Sequence, residues 1–242
     1  MIFKDKLQDL YYYSTANVAF LVLIVMLLYS LFLFSDHFVT SPILGFIVHI
    51  LITGYGLEII RDTIKGGERL PKIRPKKIII GGMELFVITF FYTIPQNIVL
   101  EFLTHSMGFY KIFELEELFL HGLDFYQMFL ANPINFLIYI VLFLIISYIS
   151  IFFYEIAISS FAETDNLLNA FKLRDIWGKI RIIGVRNYMM GYTKLILLIS
   201  IFLFIVEFLN DVAPLSASLV SIIVFLLQYR SMGLVYKEYI LD

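Results

Sequence analysis

The chain has 242 residues, of which 60% are hydrophobic and only 16% charged, and its mean hydropathy is +0.88. Soluble domains are about half apolar and about a quarter charged, so this composition excludes a soluble globular protein and indicates an integral membrane protein. The net charge of −2 argues against a nucleic-acid-binding surface, and the absence of cysteine excludes a disulfide framework and a cysteine nucleophile.

Six long apolar runs divide the chain. Each is close to the length of about 20 residues that a helix needs to cross about 30 Å of hydrocarbon. Helices are predicted because backbone polar groups in lipid must be paired within the segment itself. The runs are 17–34, 43–60, 78–100, 134–161, 192–209 and 212–229. The predicted fold is therefore all-α: a six-helix polytopic membrane protein that forms a single membrane domain over 1–242.

Three segments between the runs have patterns of their own. Residues 166–184 carry apolar residues at helical spacing and basic residues on the other face, which predicts an inner amphipathic helix in the membrane interface with Asn166 as its N-cap. Residues 111–130 predict a similar outer segment with an acidic polar face. Residues 61–77 contain two glycines and two prolines, which are typical of a loop or short hairpin.

The basic residues fall almost entirely on one side of the predicted helices. They concentrate in 61–77 and between 172 and 194, and both termini are also basic. The segments predicted on the opposite side, 35–42, 101–133 and 210–211, hold one cation, Lys111. The positive-inside rule makes the basic side cytoplasmic. We therefore expect a multi-pass protein of the cell membrane with both termini in the cytoplasm.

Several short motifs resemble those of the DUF4013 family. In the first half they are GYGLEIIR (54–61), GERLP (67–71) and Gly81-Gly82. In the second half they are Ala170-Phe171, Ile176 to Arg181, Tyr188, and Tyr229 to Tyr236. The family consists of small polytopic membrane proteins, mostly archaeal and some bacterial, with no established function. The resemblance implies an archaeal-type cell-membrane protein and supplies no catalytic residue.

The ionisable residues within the predicted spans lie mostly near the cytoplasmic ends. Charges within a membrane are costly unless they are paired, and paired charges can fix the register of neighbouring helices. Glu58 and Arg61 are spaced for a local ion pair, and Glu155 is expected to pair with Arg230 or Lys194. We predict a structural charge cluster of Glu58, Arg61, Glu84, Glu155, Lys194 and Arg230.

Other polar residues suggest two further kinds of site. His49, Gln96 and Asn97 are candidates for lining a polar cavity, with Pro95 introducing a kink beside the two amides. Outside the membrane, Glu117, His121 and Asp124 have a spacing compatible with a metal site, and equally with the polar face of an amphipathic helix. No known catalytic or phosphate-binding motif is present, and no catalytic residue, metal or cofactor is predicted.

The leading functional hypothesis is a non-enzymatic integral membrane module that binds lipid or a protein partner. The protein partner can be another copy of the same chain, in a homo-oligomer. Nucleic acid is not an expected partner. The basis of this hypothesis is the amphipathic surface segments and a basic inner face that should attract anionic headgroups. The alternative is a small-molecule or ion transporter or permease with a polar site among spans two to five. A transporter predicts polar residues aligned on one face of several spans.

Overall fold

In a computed structural model of the protein, residues 42–108 and 125–241 are described, and every regular element in these ranges is helical. The all-α class is therefore confirmed. The first predicted span, 17–34, and most of the outer segment 111–130 lie outside the described residues, so the count of six spans stays a prediction. The α-helices are α1 (Pro42–Ile64), α2 (Pro75–Ser106), α3 (Phe125–Ala131), α4 (Pro133–Thr164), α5 (Leu173–Ile183), α6 (Val185–Val212) and α7 (Pro214–Tyr236).

The apolar runs predicted as spans two to six fall in α1, α2, α4, α6 and α7, and all of these helices except α1 overlap a candidate membrane span. The boundary between the last two differs slightly from the prediction, because Val212 still belongs to α6 and α7 begins at Pro214. Proline fits the first helical position, where its missing N–H would have no intrahelical partner. A π-helical turn, Lys237–Leu241, follows α7.

Four of the described helical segments are long and apolar enough to cross a membrane. They are Pro75–Ser106, Pro133–Thr164, Val185–Val206 and Leu219–Ile240. Only 6% of the apolar window in Val185–Val206 is buried inside the protein, so side chains such as Phe204, which is 77% exposed, face outward. Soluble proteins rarely expose apolar surface on this scale, whereas a bilayer would cover it. The structure thus supports a polytopic membrane protein.

The segment predicted as one inner helix, 166–184, is divided in two. Asn166 caps a 3₁₀ helix, Leu167–Phe171, by accepting a hydrogen bond from the backbone N–H of Leu168 at 3.1 Å. Lys172 then has a non-helical backbone (φ −80°, ψ 75°), and α5 begins at the next residue. The capping residue was predicted correctly, but the break at Lys172 was not.

The chain folds into two compact units. Among the described residues, unit 1 combines 42–88 with 155–241, and unit 2 comprises 89–108 and 125–154. The single-domain organisation over 1–242 stays a prediction.

Within unit 1, glycines allow helix backbones to touch. A Cβ atom added to Gly54 of α1 would lie 2.0 Å from the carbonyl oxygen of Ile78, and one added to Gly82 of α2 would lie 2.1 Å from that of Ile50. No other residue fits at such distances. Small residues of this kind are the usual means of close helix packing in membranes. The structure therefore gives a packing role to two of the glycines in the family-like motifs.

Helix α7 packs on α1 in a similar way. Gly56 faces the ring of Tyr229, whose Cε1 atom would be 2.5 Å from an added Cβ, and Gly233 faces Thr63. The last two turns of α1 are consequently buried on most sides, with Leu57 and Ile60 fully inaccessible. This end of α1 is surrounded by protein, unlike a helix that faces lipid along one side.

Unit 2 has its own small core. Met128 and Tyr139 are almost completely buried and pack against partly buried apolar residues of α2 and α4. Side-chain hydrogen bonds between α2 and α4 also lie within the unit: Thr89 Oγ1 and Tyr154 OH are 2.7 Å apart, and Gln96 donates to Ser147. Interhelical hydrogen bonds of this kind satisfy polar groups that would otherwise face hydrocarbon.

Candidate functional site: a basic pocket in unit 1

A concave feature of unit 1 lies where α1 and α2 are joined. It is an open pocket of about 660 Å³ formed by the end of α1, the connecting loop and the start of α2. Six cations and three carboxylates line it, which leaves an excess of three positive charges. The cations are Arg61, Lys65, Arg69, Lys72, Arg74 and Lys77, and the carboxylates are Glu58, Asp62 and Glu68.

The loop 65–74 begins with a glycine turn. Gly66 has φ +82°, a conformation that favours glycine, and its N–H donates to the carbonyl of Thr63 at 3.0 Å. The N–H of Gly67 donates to the carbonyl of Asp62 at 2.8 Å. Such bonds satisfy the last carbonyls of a helix and reverse the chain. The sequence prediction of a loop in 61–77 is correct for 65–74, while its ends belong to α1 and α2.

Two long-range hydrogen bonds and one buried side chain hold the loop in place. Leu70 is buried, the hydroxyl of Tyr55 donates to the carbonyl of Pro71 at 3.1 Å, and Arg230 Nη1 donates to the carbonyl of Gly67 at 2.7 Å. The same Arg230 atom donates to Thr63 Oγ1 at 3.1 Å. The pocket wall is thus fixed to α1 and α7, and the loop has support from both helices.

Arg61 forms the inner wall of the pocket. Its guanidinium contacts Glu58 Oε1 through Nη1 and Asp165 Oδ1 through Nη2, both at 2.7 Å, and lies 5.3 Å from the ring centroid of Phe161. The side chains of Arg61 and Glu58 are only 11% and 10% exposed. Burying a charge without a partner is costly, and here two carboxylates contact one guanidinium.

The other five cations of the pocket are exposed on the loop and the first turn of α2. Within the described parts of the chain, none of them takes part in a salt bridge. Their positive charges therefore lie at the pocket and at the surface around it. Ile73, 48% exposed, places an apolar side chain among them.

The structure brings together only part of the predicted charge cluster. Glu58 and Arg61 are paired as predicted, and Arg230 lies at the same end of unit 1 through its bonds to Thr63 and Gly67. Glu84 is half-buried and Lys194 is exposed, and neither forms a salt bridge with any described residue.

Glu155 is buried, 8% exposed, and it too has no salt bridge in the described ranges. The Arg230 guanidinium donates instead to the hydroxyl of Thr63 and the carbonyl of Gly67. A common cluster of all six residues stays a prediction.

The residues predicted to line a cavity are distributed over both units. In unit 1, His49 is exposed and its carbonyl accepts a hydrogen bond from Thr53. In unit 2, Gln96 is half-buried against Ser147, and Asn97 is exposed. Pro95 lies inside α2, which continues to Ser106. The candidate metal-binding residues Glu117, His121 and Asp124 lie outside the described residues.

A second polar cluster, which the sequence did not suggest, fixes α5 in unit 1. Lys179 Nζ donates to Ser160 Oγ at 2.8 Å, is 3.3 Å from Glu163 Oε2, and also contacts the hydroxyl of Tyr236. That hydroxyl donates to Glu163 at 2.5 Å. The cluster joins α4, α5 and α7. Its members are separated widely in sequence, so no local spacing signals it.

The model of the family described as protein of unknown function (DUF4013) matches residues 37–210, which is well over half of the chain. The chain belongs to the DUF4013 family. The DUF4013 match includes the whole basic pocket and the Arg61–Asp165 contact, whereas Arg230 and Tyr236 lie beyond its end. No curated protein and no solved structure matches the chain significantly.

Proposed function

We propose that this DUF4013 protein is a non-enzymatic integral membrane module that binds anionic lipid headgroups in the basic pocket. It lies in the cell membrane with both termini and the pocket on the cytoplasmic side. The observation that supports this most is a set of five exposed cations around one pocket, none of which has a salt bridge to a described residue. Four of them are on a loop that two long-range hydrogen bonds hold in place, and Lys77 is in the first turn of α2.

The position of the pocket favours a lipid over a soluble anion. Its last lining residue, Lys77, is in the first turn of α2, which is one of the candidate membrane spans. Cations immediately beside a span lie at headgroup level, where each contributes about 1 kcal/mol toward anionic lipid. The exposed side chain of Ile73 can reach the acyl boundary from the same loop.

Two neighbouring lysines provide a matched test. Lys77 lines the pocket and Lys76 does not, although both are exposed near the start of α2. We expect Lys77→Gln to weaken phosphatidylglycerol binding about fivefold, which corresponds to about 1 kcal/mol. Lys76→Gln should change it less, and Lys77→Arg should preserve it.

The measurement is native mass spectrometry of the purified protein titrated with phosphatidylglycerol or with phosphatidylcholine of the same acyl chains. Wild-type protein should retain the anionic lipid preferentially, and this preference should decrease with salt because the contacts are exposed. Equal retention of the two lipids, or equal effects of the two glutamine variants, would contradict a headgroup site in this pocket.

A further inference from the structure

Helix α5 has a predicted apolar face that lies largely in the protein interior. Ile176, Ile180 and Ile183 are between 0% and 4% exposed. The Lys179 cluster lies along the edge of the same face. Three residues of the predicted apolar face are therefore already covered by other parts of unit 1, whereas Leu173 and Trp177, which belong to the same predicted face, are not fully covered.

Another edge of α5 is partly exposed. Leu173 is 49% exposed, and Trp177, one helical turn later, is half-buried. Residues four apart lie on the same side of a helix, so these two form one apolar strip. Arg174 and Arg181 are exposed beside it, and the guanidinium of Arg181 lies 5.4 Å from the Trp177 ring.

The connections of α5 place it at a membrane surface. The preceding helix α4 and the following helix α6 both contain candidate spans, so the segment between them, 165–184, leaves and re-enters the membrane on one side. Only Gly184, with φ +87°, separates α5 from α6. The strip is apolar and partly exposed, it has arginines beside it, and its helix ends one residue before a candidate span. These properties are typical of a segment at a lipid interface.

We propose that the Leu173–Trp177 edge of α5 inserts at the headgroup–acyl boundary of an anionic leaflet, as a lipid contact separate from the basic pocket. The tryptophan suits this position because its ring is apolar while its N–H reaches polar groups. The arginines supply the charge complementarity toward anionic headgroups. Helix α5 is thus held between the protein, through its isoleucines, and the lipid surface.

Trp177 itself reports the contact, since it is the only tryptophan of the chain. The protein would be reconstituted in vesicles of phosphatidylcholine and phosphatidylglycerol in equal parts, with acyl chains brominated either near the headgroup or near the chain end. We expect strong fluorescence quenching by the shallow bromines and little by the deep ones. Quenching should decrease in vesicles of phosphatidylcholine alone.

Leu173 and Ile182 offer a matched pair of variants. Both are exposed aliphatic residues of α5, but Ile182 lies on the opposite side from Leu173 and is the more exposed, at 70%. Leu173→Ser should lose shallow quenching, whereas Ile182→Ser and Lys77→Gln should retain it. Absence of shallow quenching in the wild type, or equal loss with Ile182→Ser, would overturn the proposal. A loss with Lys77→Gln equal to that with Leu173→Ser would overturn the separation of this contact from the pocket.

Discussion

Asp165 Oδ1 lies 2.7 Å from Nη2 of Arg61, so the residue that follows α4 is bonded to the last turns of α1. The contact brings together the two segments that carry most of the basic residues, the α1–α2 loop and the α4–α6 connection. Both segments therefore lie at one end of unit 1. This is the arrangement expected if the basic residues of both segments face the same side of a membrane.

The two carboxylates paired with Arg61 should contribute unequally to stability. Arg61→Gln leaves the buried carboxylate of Glu58 without its cation and should lower the free energy of unfolding by about 3 kcal/mol. Asp165→Asn should lower it by less than about 1 kcal/mol, because that side chain is 60% exposed. Asparagine also tolerates the positive φ of 50° at this position. Unfolding in detergent measures both, and equal losses would contradict the difference in burial.

The glycine contacts between α1 and α2 predict that the effect of a glycine-to-alanine substitution on stability depends strongly on its position. Gly54→Ala and Gly82→Ala place a methyl group against a backbone carbonyl and should each cost about 1–3 kcal/mol or more. Gly191→Ala, on α6, is the control, because an added Cβ there meets nothing within 4 Å. This substitution should stabilise the helix by about 0.5–1 kcal/mol. A thermal-unfolding series in detergent tests all three, and a harmless Gly82→Ala would refute the close approach.

The Lys179 cluster should stabilise the attachment of α5. Lys179→Met removes the bonds to Ser160 and Glu163 and should lower stability by about 1–3 kcal/mol. Tyr236→Phe removes only the hydroxyl and should cost about 1 kcal/mol. Lys172→Met, at a lysine just before α5, should stay within about 0.5 kcal/mol of the wild type. Similar losses for the two lysine variants would show that the cluster does not hold the helix.

The two ends of α2 test the predicted topology. Cysteine is absent from the native chain, so Arg74→Cys and Ser106→Cys each introduce a single thiol at an exposed position near one end of the helix. An impermeant thiol reagent applied to intact cells should label position 106 and leave position 74 unlabelled until the cells are opened. The reverse pattern would invert the orientation, and labelling of both from outside would show that α2 does not span.

Local features of the structure were the ones that the sequence could predict. The Glu58–Arg61 pair follows from i, i+3 spacing on one helix, and the capping role of Asn166 follows from its position before an apolar run. The helical class follows from the length of the apolar runs. In each case, the determining residues are close together in the chain.

Features that depend on tertiary packing were not predictable in this way. The partner Asp165 of Arg61 comes from a different helix connection, and no spacing rule links the two. The apolar face of α5 was recognised, but periodicity states only that a face is apolar, and the three isoleucines of this face pack against protein rather than lipid. Likewise, the sequence marked Gly54 and Gly82 as motif residues without showing that they face neighbouring backbones.

Gly184 also has a mechanical consequence. Only one residue joins α5 to α6, and glycine is the most permissive residue in its backbone angles, so Gly184 can absorb a change in the angle between the two helices. Spans change their tilt when the bilayer is thinner or thicker than their hydrophobic length. At this joint, a change in the tilt of α6 can be taken up while the buried isoleucines and the Lys179 cluster keep α5 in place. In the proposed orientation, the arginine-lined edge of α5 therefore keeps its depth at the cytoplasmic surface of the protein when the bilayer thickness changes.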